Sequence, residues 1–170
     1  MVAGWLPAAV NDGGNVEARS QMLLAAHLAG LAFATGTGLG LAHALAHSIS
    51  ARLDVAHGVA LAAVLPQVMA FNLPTSAREL ALAALSLGVS DPGASEEANA
   101  NAALTATDTL VTALMGRQTL SGFGVTEDLL PTLVRDTVED GVIANAPRMP
   151  SPEEVEDLLR TLLRVSRSDE

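Results

Sequence analysis

Gly38-Leu39-Gly40-Leu41-Ala42-His43-Ala44-Leu45-Ala46-His47, followed ten residues later by His57-Gly58, decides how the rest of this chain is read. Three of the four histidines fall within fifteen positions. His43 and His47 are four apart, so on a helix they share one face. The helix is expected over about 39–52, with Asp54-Val55-Ala56 as a short connection and His57-Gly58 opening a third helix over about 59–70. A histidine at a helix start can reach into the space beside its neighbour's face. Imidazole is a good ligand for iron, zinc and nickel, so clustering at this spacing favours a metal or catalytic role. The competing reading is three polar residues hydrogen-bonded within a helical interface. An open catalytic metal site needs about three protein ligands, often including a carboxylate. Asp54 is the only acid between Glu17 and Glu79, and its place in a turn makes it a weak candidate ligand.

Outward from this block the chain keeps a helical texture. Ala and Leu dominate its 170 residues, with three Phe, one Trp and no Tyr. These are good helix formers, and the length suits one domain, so a single all-α domain over 1–170 is expected. Asn15 caps a helix over 16–34, with Glu17 in its first turn. Met22, Ala25, Ala26, Ala29 and Phe33 form its apolar stripe, and His27 sits at the margin as a surface or interface histidine. Thr35-Gly36-Thr37-Gly38 reads as a helix-to-helix turn. It is a poor phosphate loop, because no lysine follows and no strand precedes it. Pro66 would kink or end the third helix, and Asn72-Leu73-Pro74-Thr75 is a stop and restart, with Thr75 or Ser76 capping a helix over 77–87 that ends at Gly88. Ser95 starts a helix near 96–116, and another runs over 127–140 to Gly141. Asn145 to Pro150 is irregular. Ser151-Pro152-Glu153-Glu154 is a capping box with proline at the first helical position, opening a helix over 152–165 that presents Val155, Leu158, Leu159 and Leu162 on one face. Residues 1–10 read as the tail of a helix or a docking strip, and 166–170 as a charged tail. The sum is about seven helices.

Charge and composition exclude several functions. The formal charge is −10, no lysine occurs, and fifteen of the nineteen acids lie in 91–170. An acidic surface argues against nucleic acid and against an anionic membrane. The absence of cysteine removes disulfides, thiol chemistry and zinc–cysteine sites. A reducing cytosol is compatible, and a cytoplasmic location is expected. Mean hydropathy is positive, +0.36. The most apolar region, 53–71, is interrupted by Asp54, His57, Pro66 and Gln67, so no spanning helix is expected. The apolar excess instead points to a surface that packs on another domain or subunit.

The histidine block resembles the iron-containing (group III) alcohol dehydrogenase family. The matching residues are Gly40-Leu41-Ala42-His43-Ala44-Leu45-Ala46-His47, His57-Gly58-Val59-Ala60, Leu65-Pro66 and Phe71-Asn72. The likeness extends upstream through Glu17-Ala18-Arg19 and Gly30-Leu31-Ala32-Phe33, and downstream to Leu120, Gly124, Asp128 and Asn145-Ala146-Pro147-Arg148. The resemblance implies the helical, dehydroquinate synthase-like C-terminal part of a two-domain enzyme, whose N-terminal α/β domain binds NAD(P). It implies that His43 and His57 are ligands of a divalent metal, Fe2+ or Zn2+, and that His47 lies near nicotinamide and substrate as a catalytic residue. The family's other two ligands, an aspartate and a histidine four residues apart on an earlier helix, would fall before Met1, as would the pyrophosphate loop. No cofactor-binding residue is therefore expected in this chain.

Departures from the family pattern are Ser48 for the usual proline, Ser50 where glycine is common, Ala56 for the proline before His57, and Leu61 where many members have asparagine. Phe71-Asn72-Leu73-Pro74 is similar to the related maleylacetate reductases, which share the fold, and suggests that subtype over alcohol oxidation. Three roles follow. One is a catalytic module that works with a separately encoded nucleotide-binding partner. Another is a truncated, inactive helical interaction domain. The last is a small independent metal-binding protein using His43, His47 and His57, with Asp54. A homodimer is expected, since small-residue helices left uncovered need burial.

Overall fold

The computed structural model describes residues 1–36, 38–116 and 118–164, and the expected tail at 166–170 lies outside them. Among these residues there is no strand, and the fold is all-α as expected. The backbone divides into two compact units, Met1–Gly38 and Leu39–Glu170.

The first unit is a helix pair, α1 (Val2–Asn11) and α2 (Val16–Thr35). The apolar start of the chain is thus a helix of its own, with Pro7 inside it. Asp12 to Asn15 turns the chain, and the Asn15 side chain accepts the Ala18 N–H at 2.9 Å, capping α2 as its sequence predicts. The stripe on α2 is shifted from the expected one. Ala18 and Ala25 are buried and Met22 is half-buried, whereas Ala26, Ala29 and Phe33 are exposed. At 1.5 Å per residue, α1 is about 15 Å long against about 30 Å for α2, so it covers only part of its partner. Leu23, Leu24, Leu28 and Leu31 are also exposed.

The second unit holds the main core. Its helices are α3 (Leu41–Leu53), α4 (His57–Leu87), α5 (Glu96–Met115), α6 (Leu130–Glu139) and α7 (Pro152–Arg164). α4 lies along α5 and beside α3, and α6 packs between α3 and α7. Leu41, Leu45 and Ile49 of α3, Val64 of α4, Leu130 and Leu133 of α6, and Val155 and Leu159 of α7 close one continuous apolar core. α5 contributes only alanines, Ala100 and Ala103, to the buried set. Such small side chains permit close approach to α4.

Local capping is as written in the sequence. Ser95 Oγ accepts the Ala98 N–H, and Gly88 takes a left-handed φ of 78° while the Val89 N–H returns to the Ala84 carbonyl. At α7 the capping box is complete: the Glu154 N–H donates to Ser151 Oγ at 3.2 Å and the Ser151 N–H donates to Glu154 Oε2 at 2.9 Å.

Two expected boundaries move. The third helix does not end near residue 70 but continues past Pro66 and through Asn72–Thr75. α4 runs through both prolines and breaks at Ser76, with φ −133° and ψ 25°, so the restart at 77 and the end at Gly88 fall where the sequence puts them. Its 31 residues are long and apolar enough to cross a membrane by length and composition alone. The helix expected over 127–140 opens instead as a 3-10 turn, Glu127–Leu129, before α6. Pro131 has no N–H to return to the Glu127 carbonyl, which accepts the Leu130 N–H instead. At the other end Gly141 starts a second 3-10 turn, Gly141–Asn145, rather than simply closing α6.

Candidate active site at the α3–α4 corner

α3 starts where the chain passes tightly against itself. Gly40 is its N-cap, and a Cβ there would lie 3.4 Å from Ala146 Cα. Beside it, Asn145 Nδ2 donates to the Leu39 carbonyl at 2.9 Å. Leu41, Leu45 and Ile49 bury one face of the helix, leaving His43 and His47 half-buried at its margin. Asp54 ends α3 in a left-handed conformation, φ 54°, and the short link to Ala56 returns the chain so that His57 begins α4.

The three histidines come together. Ring centroids are 5.2 Å apart for His47 and His57, which stack, 5.5 Å for His43 and His57, and 6.0 Å for His43 and His47. Burial lowers the pKa of His43, and the neighbouring His57 and His47 lower it further. The neutral imidazole this favours is the form that can offer a lone pair to a cation. The His43 and His57 imidazoles at this corner fit part of a divalent-metal ligand set. Among the described residues, no three His, Asp or Glu side chains are arranged to hold an ion. Asp54 is exposed and ends α3 through its backbone, whose N–H donates to the Ser50 carbonyl. His27 lies in α2, in the other unit, and is exposed.

Three contacts join α3 to α6 and the turn after it. His47 Nδ1 lies 2.7 Å from Asp140 Oδ2. Ser48 Oγ donates to the Leu45 carbonyl at 2.9 Å and lies 3.0 Å from Thr137 Oγ1. Arg52 pairs with Asp136 at 2.6 Å. Ser48, one of the departures from the family pattern, is therefore a buried cross-helix link. The other oxygen of Asp140 accepts the Val142 N–H at 3.0 Å. Burial raises the Asp140 carboxyl, but the Val142 and His47 bonds outweigh it and hold the pKa below its ordinary 3.8. Sequence reading missed Asp140, which it took as the last residue of a helix. The Asp-Gly step marks the turn but not a partner 93 residues away.

An all-helical domain carrying a three-histidine corner between two consecutive helices defines the class. The chain matches the C-terminal part of the Fe-containing alcohol dehydrogenase family over residues 1–163 and belongs to that family. It is 38% identical over 152 residues to the long-chain primary alcohol dehydrogenase of Thermoanaerobacter ethanolicus, covering 86% of this chain and 37% of that enzyme. It is 33% identical over 160 residues to the 1,3-propanediol dehydrogenase of Citrobacter freundii, covering 94% of this chain and 41% of that enzyme. The crystal structure of a 1,3-propanediol oxidoreductase superposes with a TM-score of 0.89 at 33% identity, over 95% of this chain and 42% of that one. The chain thus spans about two fifths of the length of the curated relatives it matches.

Proposed function

We propose that this chain is the metal- and substrate-facing part of an NAD(P)-dependent oxidoreductase acting on primary alcohols and their aldehydes. It works together with a nucleotide-binding part, whichever polypeptide carries that part. The observation that supports this most is the convergence of His43, His47 and His57, with ring centroids 5.2 to 6.0 Å apart, at the block that carries the family likeness. His43 and His57 are assigned as two ligands of a divalent cation, Fe2+ or Zn2+, and further donors must come from outside the described residues. A divalent metal held there would supply Lewis-acid polarisation of the substrate oxygen, and a nicotinamide held by the nucleotide-binding part would supply the hydride chemistry. Burial and mutual repulsion keep His43 neutral and ready to ligate. His47 takes up or returns the hydroxyl proton, a role suited to an imidazole near neutral pH. The names of the relatives, which include a methanol dehydrogenase, a 1,3-propanediol dehydrogenase and a lactaldehyde reductase, favour alcohols over the maleylacetate reductase-like subtype. The exposed Leu23, Leu24, Leu28, Leu31 and Phe33 of α2 favour association with another polypeptide surface.

Anaerobic calorimetric titration with Fe2+ and Zn2+, beside a His43→Ala/His57→Ala double variant, tests the assignment. Binding that the double variant loses is expected. Binding equally tight in both proteins would overturn the ligand assignment. NAD(P)H oxidation with short aldehydes, measured after joining the nucleotide-binding part of a relative, tests the activity. Activity on maleylacetate alone would overturn the substrate class.

A further inference from the structure

We propose that Asp140 is a positioning residue that fixes the tautomer of His47, with the proton on Nδ1 and the lone pair on Nε2. This rests on the reading of His47 as the proton-handling residue. A carboxylate can only accept, so at 2.7 Å from Oδ2 the Nδ1 atom of His47 must be the donor. The proton of the neutral ring is then committed to Nδ1. Nε2 is left as the basic nitrogen of a ring that stacks on His57 at 5.2 Å.

Asp140 is itself held. Its Oδ1 accepts the Val142 N–H at 3.0 Å, which caps the Gly141–Asn145 turn and sets the carboxylate plane. That turn is in turn anchored to the start of α3 by Asn145 Nδ2 on the Leu39 carbonyl. The helix carrying His47 and the turn carrying its acceptor are therefore tied together at two points. The Ser48–Thr137 contact adds a third beneath them. A carboxylate orienting an imidazole in this way matches what acid–base sites and metal-site surroundings require.

The discriminating substitution is Asp140→Asn. The Val142 N–H still needs an acceptor, so the amide oxygen takes the capping position and the amide nitrogen faces His47. That nitrogen donates to a bare Nδ1 and moves the ring proton to Nε2. Nitrogen-15 NMR of the histidine rings at mildly alkaline pH, on this chain without metal or cofactor, reads the tautomer directly. The expected result is Nδ1–H for His47 in the wild-type protein and Nε2–H in Asp140→Asn, with the helical circular dichroism unchanged. A wild-type His47 protonated on Nε2 overturns the proposal, whether or not the variant folds. An unchanged tautomer in a folded Asp140→Asn overturns it as well, leaving Asp140 as a turn cap only. With the nucleotide-binding part joined, Asp140→Asn is expected to lower kcat by about 10- to 100-fold with little change in KM for the alcohol. An unaltered kcat with a switched tautomer would overturn the positioning role. The NMR result does not depend on metal binding or turnover, so failure of the broader functional reading is distinguishable from failure of this one.

Discussion

Ser48 Oγ and Thr137 Oγ1 face each other at 3.0 Å, both side chains buried, and they join α3 to α6 one residue beyond His47. Thr137 has no access to solvent. Ser48→Ala would leave that hydroxyl without this partner, so a loss of about 1–3 kcal/mol in urea unfolding is expected. Ser48→Ala/Thr137→Val removes both polar groups, and its cost should fall short of the sum of the two single changes. Additive single costs would mean that the two hydroxyls do not depend on each other.

Ser50 is the opposite case. Its Oγ is buried and has no hydrogen-bond partner, two residues further along the same helix. Ser50→Ala removes an unsatisfied hydroxyl and installs the best helix former. Stability should rise by about 1 kcal/mol, read as a higher urea midpoint with the same slope. A destabilised Ser50→Ala protein would show that the hydroxyl is satisfied in solution.

What the sequence made legible was what is decided within a few residues. The caps at Asn15, Ser95 and Ser151 with Glu154 are short-range hydrogen bonds, and side-chain type plus spacing specify them. The His43, His47 and His57 corner was readable for a related reason: two helical positions and one helix start are linked by a short turn. The restart within α4 was readable too, since Ser76 is one of the two cap positions the sequence offers; the helix before it runs on past Pro66 because proline removes a donor without dictating where the backbone yields. The chain accommodates Pro66 and Pro74 and bends at Ser76. Asp140 was out of reach because its partner lies on a helix that only the tertiary fold brings near.

The shifted stripe of α2 gives a contrast between two leucines. Leu45 is fully buried in the core around α3, whereas Leu23 is 74% exposed on α2. Leu45→Ala should cost about 2–5 kcal/mol through lost burial and the cavity left behind. Leu23→Ala should change stability by less than about 0.5 kcal/mol. A Leu23→Ala cost comparable to that of Leu45→Ala, persisting on dilution, would contradict the exposure of this face. A cost that vanishes on dilution would instead identify it as the site of self-association, visible as a mass change in light scattering.

Glu154 links the last helix to the pH dependence of the fold. The Ser151 N–H, and then the Arg148 guanidinium at 2.6 Å, hold its carboxyl below the ordinary value of 4.5. Arg148 also lies over the Phe71 ring, 3.8 Å from its centroid, so the same carboxylate steadies a contact with α4. A carboxyl whose pKa is lower in the folded state contributes stability that is fully present above its unfolded pKa. That contribution is lost as pH falls through the folded one. Melting temperature should therefore begin to drop as pH descends from about 4.5, and Glu154→Gln should flatten that part of the profile while lowering the plateau near neutrality. The neutral amide still accepts from Ser151 but gives up the charge opposite Arg148. A Glu154→Gln profile parallel to that of the wild-type protein between pH 5 and the acid transition would assign the acid sensitivity to other carboxylates, with Asp136 and Asp140, both also lowered, the next to test.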